Sequence, residues 1–356
     1  MASSNTPQAP NGAPGNQPIL SGRTVTKPVQ KKEKRKVLRT VLIVLAVVVA
    51  LVLAAAAVLG WFGWRLASTF DEESEVLPGV FPEAQLPERE DDAQTILLLG
   101  SDTRGHIDTD DVEGPQDGRS DTIMVARIPS DHSGVYIMSI MRDSWVDIPG
   151  YGDAKVNAAM AYGGVPLTIE TIESLIGSRI DHVAVIDFEG FKGLTNALGG
   201  VPVYNAQTFS AGGFNFPQGD LVLNGDEALS FVRERKSFGD GDYQRVRNQQ
   251  AYMKGLLSTI LSRDTLTSPS KLTATVDAIS PFIARDEGLN GGYIAGQAMK
   301  MTSIRPSDIH FFTAPTTGVG WSPDGRQSII LLDWTEMEKV KEAFETDTVA
   351  GLVGAY

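Results

Sequence analysis

The chain has 356 residues, with 31 Lys+Arg against 44 Asp+Glu for a net charge of −13, and no cysteine. That length allows one large or two modest domains with a proper core. The lack of cysteine excludes a disulfide framework, and the acidic balance argues against nonspecific binding to nucleic acid or anionic headgroups.

The charge is divided sharply along the chain. Residues 1–40 hold eight bases and one acid, a net +7, which leaves 23 bases and 43 acids, a net −20, for the remainder. The first 30 residues are rich in Pro, Gly, Ser, Asn and Gln, with too little apolar matter to fold, so 1–40 reads as a disordered basic tail. Residues 41–64 are an uncharged run of 24, about 36 Å long as a helix and sufficient to cross a bilayer. Lys31, Lys32, Lys34, Arg35, Lys36 and Arg39 precede it, so the positive-inside rule places the tail in the cytoplasm and the rest outside. Trp61 and Trp64 read as interfacial anchors at the outer surface. A cleaved signal peptide would have an apolar core of only roughly 7–15 residues. An uncleaved, single-pass signal-anchor is therefore expected. Residues 65–93, acidic and carrying Pro78, Pro82 and Pro87, read as an extracellular linker.

Strands are predicted over 96–100, 122–128 and 135–141, then helices over 156–162 and 166–176. A strand at 183–186 precedes a helix over 188–198 that Gly199 and Gly200 stop. Short strands follow at 201–204 and 221–223, with a short helix starting at Asn224. A long helix runs from Asp242, a suitable N-cap, to 263. Helices over 268–279 and 289–301, strands near 309–314 and 328–332, and a helix over 334–345 complete a domain spanning 94–346, with 347–356 a tail. This alternation predicts an α/β fold, a three-layer αβα arrangement with a central mixed sheet, preceded by one transmembrane helix.

Several strands end in charge. One runs into Asp102, another starts from Arg119-Ser120-Asp121-Thr122, and a third ends at Met141-Arg142-Asp143. Charge at a strand end lies at the sheet rim, where open α/β folds bind ligands. Two carboxylates and several arginines at one rim suit a magnesium-bound phosphate, the carboxylates holding metal and the guanidinium forks holding phosphoryl oxygens. Arg233 and Arg235 point the same way if the chain leaves its helix extended. Arg245 and Gln249 lie one turn apart, near a helix N-terminus that itself favours anions. Ser268-Pro269-Ser270-Lys271 matches the Ser-x-x-Lys of penicillin-interacting serine enzymes, but the rest of that set is missing and Ser268 reads as a helix cap. The four histidines, His106, His132, His182 and His310, form no zinc spacing.

The residues Gly100-Ser101-Asp102-Thr103-Arg104, Arg119-Ser120-Asp121-Thr122, Arg142-Asp143, Lys155-Val156-Asn157, Gly199-Gly200-Val201, Arg233-Glu234-Arg235 and Asp242-Tyr243-Gln244-Arg245 with Gln249-Gln250 resemble, in order, the LytR–CpsA–Psr family. Resemblance implies a phosphotransferase on the outer face of a bacterial membrane. It moves a glycan polymer, with its linking phosphate, from a polyprenyl-pyrophosphate carrier to peptidoglycan or another surface acceptor, releasing polyprenyl phosphate. On that pattern Asp102 and Asp121 hold Mg²⁺, while Arg119, Arg142, Arg233, Arg235, Arg245 and Gln249 bind the pyrophosphate. Asp102, Asp121 and Asp143 are the candidate bases. The family also threads the polyprenyl chain into an apolar tunnel, which no sequence pattern here marks. The chain departs from the family at Asn248 and Met141, and in a long acidic segment between Asp102 and Asp121 that reads as a lid. A non-catalytic polyprenyl-phosphate or wall-binding module is the alternative. The cytoplasmic tail has no helix-turn-helix, which argues against a DNA role.

Overall fold

The computed structural model describes residues 30–83, 85–89, 91–101 and 120–356. Most of the expected basic tail, the acidic lid, Asp102, Arg104, His106 and Arg119 therefore lie outside the described residues. The chain divides into two compact units, Met1–Leu59 and Gly60–Tyr356. What is described of the first is part of one helix, α1 (Gln30–Glu73). Val47–Glu73 is the one stretch among the described residues that is long and apolar enough to cross a membrane.

The second unit is built on a seven-stranded sheet. Its early strands are β1 (Glu75–Val76), β2 (Gln94–Ser101), β3 (Ser120–Ile128) and β4 (Val135–Ile140). A small hairpin, β5 (Trp145–Ile148) and β6 (Gly152–Lys155), leads to α2 (Ala158–Ile176), then β7 (His182–Ile186) and α3 (Phe188–Ala197). Two antiparallel ribbons follow, formed by β8 (Val201–Asn205), β9 (Phe209–Ala211), β10 (Phe214–Phe216) and β11 (Gly219–Leu223). Next come the helices α4 (Gly225–Arg233), α5 (Asp242–Ile260), α6 (Arg263–Leu266) and α7 (Pro269–Ile279). The chain closes with β12 (Ala284–Arg285), α8 (Gly291–Lys300), β13 (Ile309–Thr313), the hairpin β14 (Thr316–Trp321) and β15 (Ser328–Leu332), and α9 (Trp334–Glu345). The strand order is β1-β12-β7-β2-β3-β4-β13. It mixes parallel pairs (β2 with β7, β4 with β13) and antiparallel ones (β2 with β3, β3 with β4), as the alternation of elements predicted.

Helices cover both faces. On one, Leu97, Leu99, Ile123, Val125, Met138 and Ile140 join residues of α2 and α9, including Ile172 and Phe344, in the main core. On the other, Met124, Ala126 and Ile137 meet Met253 and Leu257 of α5. β2 shows the asymmetry directly: Leu97 and Leu99 are 0% and 2% exposed, while Ile96 and Leu98, on the opposite face, are only half-buried. The predicted helices at 156–162 and 166–176 form one element kinked at Gly163 and Gly164, where Gly164 adopts φ 64 and ψ −153. That region of backbone space is essentially glycine's alone. α5 approaches β8 so closely that a Cβ on Gly255 would fall 1.8 Å from the Pro202 carbonyl oxygen.

Two expected boundaries move. The segment read as a linker is partly structural: α1 continues to Glu73, Phe70 is buried, β1 pairs with β12, and Leu77 and Val80 enter the main core. Buried Glu173 accepts hydrogen bonds from the Leu86 backbone and from Gln85. Acidity and proline count describe the exposed positions of that segment; its few apolar residues are taken up by the sheet edge. The segment read as a C-terminal tail is also packed, with Val349 and Leu352 in the core. Asp347 pairs with Arg127, which is 0% exposed and also donates to Thr95 Oγ1 and the Phe344 carbonyl. Ser268 caps α7 as expected, and Lys271 pairs with Asp264.

Removing one partner of a buried ion pair leaves an uncompensated charge in the interior, typically at about 3–5 kcal/mol. Asp347→Ala should therefore lower unfolding stability by that order in denaturant titration. Glu88→Ala, removing the exposed partner of Arg179, should change it by less than about 0.5 kcal/mol.

Candidate functional site

β2 and β7 end, and β3 begins, at one rim of the sheet, where Gly100 pairs with both Thr122 and Ile186. Asp121 precedes Thr122 in β3 and is 9% exposed. Just past the end of β4, buried Met141 fixes the turn that presents Arg142 and Asp143. Nη1 of Arg142 donates to Asp121 Oδ1, and its Nε lies 3.7 Å from Asp143 Oδ2. Asp143 is also met by Lys155 Nζ at 2.9 Å and Arg235 Nη1 at 3.8 Å.

The second charged cluster comes to the same place. α4 is started by a capping box between Asn224 and Glu227 and oriented by Phe231, which is fully buried. It ends at Arg233, and Glu234 is extended (φ −68, ψ 131), so the extended exit expected from the sequence is present. Arg233 stacks its guanidinium 4.1 Å over the Phe188 ring and brings Nε to 3.6 Å from Asp121 Oδ2. Arg235 lies 3.7 Å from Asp242.

Asp242 is not the N-cap. Gly241 holds that position without a side-chain hydrogen bond, and Asp242, at the first helical position of α5, pairs with Arg245 at 2.9 Å. Arg245 and Gln249 share a buried face of α5, 4% and 7% exposed. Within 120–356, every predicted site residue thus lies at one rim; Asp102 and Arg119 remain outside the described residues.

The groups alternate in sign. Arg142 stands between Asp121 and Asp143, and Arg235 between Asp143 and Asp242. Burial alone would push the Asp143 carboxyl up, but Lys155 and Arg142 hold it below the usual carboxylate range. Burial and then the nearby Arg142 charge lower Arg245. Burial opposes the charge on Arg142 as well, yet Asp121 and Asp143 raise it. Among the described residues, the buried Nε atoms of Arg142 and Arg245 find no hydrogen-bond partner. Buried donors without acceptors are costly, and both belong to arginines of this rim.

The rim opens into a cavity of about 250 Å³ lined by Asp121, Arg142, Arg233, Arg235 and Arg245. A second, apolar cavity of about 310 Å³ runs between the sheet and helices α3 and α5, past Leu98, Met124, Leu194, Tyr252 and Leu257. The two share Gly100, Thr122, Ile186, Phe191, Val232 and Gln249. A cationic mouth therefore continues into an apolar tube, and the half-buried face of β2 is one of its walls. Among the described residues no group of three or more His, Asp or Glu is placed to hold a metal.

The sequence model of the LytR_cpsA_psr family matches residues 67–346. The chain belongs to that family. It is 33% identical over 281 residues to "Cell wall biosynthesis protein LcpA" of Corynebacterium glutamicum, covering 68% of this chain and 54% of that protein. It is 36% identical over 195 residues to "Polyisoprenyl-teichoic acid--peptidoglycan teichoic acid transferase TagU" of Enterococcus faecalis, covering 54% of this chain and 62% of that protein. The match thus spans less than two thirds of either relative. Among solved structures, B. subtilis TagV superposes with a TM-score of 0.61 at 23% identity, covering 73% of this chain and 98% of that one; the likeness shows the fold.

Sequence reasoning missed Lys155, Asp242 and Phe188 as parts of the site. Lys155 enters from β6, opposite Trp145, so its approach to Asp143 depends on a hairpin register that no spacing rule reads. A folded-state value below the ordinary one means that Asp143 contributes stability above the carboxylate range, lost as pH falls through that lowered value. Lys155→Met should raise the Asp143 pKa in a carboxyl-carbon NMR titration and shrink this acid-side loss. An unmoved Asp143 titration would show that Arg142 alone holds it low.

Proposed function

We propose that the protein is a single-pass, membrane-anchored phosphotransferase working outside the membrane. It transfers a glycan polymer and its linking phosphate from a polyprenyl-pyrophosphate carrier to peptidoglycan or another surface acceptor and releases polyprenyl phosphate. One observation carries this reading: a rim of four arginines opens into an apolar tube through shared wall residues. A ligand with a doubly charged phosphate head and a long hydrocarbon tail matches both halves. The family membership and the transferase name of the Enterococcus relative support it.

In this mechanism the acceptor hydroxyl oxygen attacks the glycan-side phosphorus, and the bridging bond to the polyprenyl phosphate breaks. Arg142, Arg233, Arg235 and Arg245 neutralise charge on the pyrophosphate and on the leaving phosphate. Their carboxylate partners keep the forks aimed before substrate arrives. Asp143, tied to Lys155 and held ionised, is better suited to orienting Arg142 than to taking the acceptor's proton. Asp121 and Asp102 are left as candidate bases. Mg²⁺ fits the donor chemistry, since among the described residues Asp121 Oδ2 has no ion-pair partner nearer than Arg233 at 3.6 Å, and phosphate-bound magnesium needs only one or two carboxylates. Asp121 and Asp102 would hold it, and it would supply charge neutralisation and polarisation at phosphorus.

Lysine keeps the charge of arginine but loses its planar fork. Arg142→Lys and Arg233→Lys should keep the wild-type melting temperature yet slow polyprenyl phosphate release from a lipid-linked glycan by about tenfold or more, or about 1.4 kcal/mol. Full activity in both would overturn the shared cradle. Tight donor binding without any release by the wild type would favour the binding module.

The tube is tested separately. Leu98→Trp fills space beside the half-buried face of β2 without touching a charged residue. Lipid extraction and mass spectrometry should find polyprenyl phosphate or pyrophosphate with the wild-type protein and little with the variant. Equal amounts in both would place the tail elsewhere.

A further inference from the structure

The sheet has a definite polarity. β2 and β7 run toward the arginine rim, so their first residues, Gln94 and His182, mark the opposite end, the base. α8 crosses that base: Tyr293 donates to Gln94 Oε1 at 3.1 Å, and its ring lies 4.1 Å from the His182 ring. The last turns of α1 are fixed to the start of α8. The Gly291 amide donates to Asp71 at 2.7 Å, and a Cβ on Gly291 would fall 2.3 Å from the Ala67 carbonyl oxygen. Arg285, 3% exposed, binds Asp71 at 2.9 Å and Ser74 Oγ at 2.7 Å, and lies 5.3 Å from the Phe70 ring.

From Ala67, beside α8, the helix climbs to Glu75, whose amide donates to Ile283 next to the rim end of β7. The chain before Ala67 therefore leaves from the base. Trp64 and Trp61, 67% and 57% exposed, precede Ala67 by three and six residues, about 4.5 and 9 Å of helix. Such tryptophans mark the water–lipid boundary of a spanning helix. On α8, Ile294 and Met299, three and eight residues past Gly291, are 39% and 73% exposed, and Lys300 is exposed beside them. Arg305, in the turn that follows, is exposed too.

We propose that the outward face of α8, with the turn after it, rests on the anionic phospholipid surface of the bilayer that α1 crosses. Exposed Ile and Met flanked by cations suit the headgroup–acyl boundary, in a unit otherwise dominated by acid. The start of α8 is tied to the last turns of α1 through the Gly291 amide and Asp71. The proposal rests on the anchor reading and extends it. The domain sits on the bilayer in one orientation, base down, with the rim roughly 25 Å above α8 by the length of β2. The apolar tube, which follows α5 from Gln249 to Leu257 over about 12 Å, then points toward the lipid that supplies its ligand.

The absence of cysteine makes the test direct. Full-length protein with Ile294→Cys, Met299→Cys or Val319→Cys is labelled with an environment-sensitive fluorophore. It is then reconstituted into phosphatidylglycerol–phosphatidylcholine vesicles carrying brominated acyl chains. Val319, 65% exposed in β14 at the rim end, is the solvent control. Labels at 294 and 299 should shift to the blue and be quenched about twofold or more, as expected at the headgroup–acyl boundary, while 319 stays open to aqueous iodide. Labels at 294 and 299 as open to iodide as 319 would overturn the proposal. Shielding from iodide without quenching by brominated lipid would also overturn it, in favour of a protein contact. A label at Val52→Cys, within α1, reports the anchor separately. Quenching there with none at 299 means the anchor stands and the docking face does not; none at either means the anchor reading itself fails.

Discussion

Arg142 lies between two carboxylates, and the rest of the rim follows from that arrangement. Four guanidinium groups cannot share one partly buried edge unless opposite charges separate them, because each loses hydration and gains repulsion. Asp121, Asp143 and Asp242 supply the separation, and each comes from a different place: the start of β3, the turn after β4 and the first position of α5. The cluster can form only when strand register, the turn at Met141 and the docking of α5 are all correct. What results is a site charged and aimed in advance, with the Nε atoms of Arg142 and Arg245 unpartnered among the described residues.

The sequence carried this rim well because strand-end charges depend on local pattern. Asp121 before an apolar run and Arg142 after one have only one place to go once the runs become strands. Arg233 and Arg235 were legible through the break after α4, which Glu234 provides. Lys155 and Asp242 were not, since their roles depend on the register of a short hairpin and on which residue happens to cap α5. The packing of Leu77 and of Asp347 was hidden for a related reason: isolated apolar or charged residues in polar segments carry no periodicity, and only the tertiary structure offers them partners.

The apolar tube shows a further limit of pattern reading. Ile96-Leu97-Leu98-Leu99 announces a strand buried on both faces, and both faces are indeed covered by helices. Nothing in four consecutive apolar residues distinguishes a face sealed against α2 and α9 from one left lining a channel. The difference lies in how α3 and α5 pack over that face, which residues remote from β2 help to set.

Gly255 is among those residues. With no side chain there, α5 rests backbone to backbone on β8 at Pro202, and it is thereby propped on the neighbouring ribbon. Braced at that flank, α5 meets Met124 through Met253 and Leu257 and still leaves a cavity between the sheet, α3 and itself. The channel is then a vault, its opening maintained by the masonry beside it. An unfilled apolar vault forgoes the dispersion contacts that a packed layer would have made. A hydrocarbon filling it would restore them, and occupancy and folding stability would then be linked quantities.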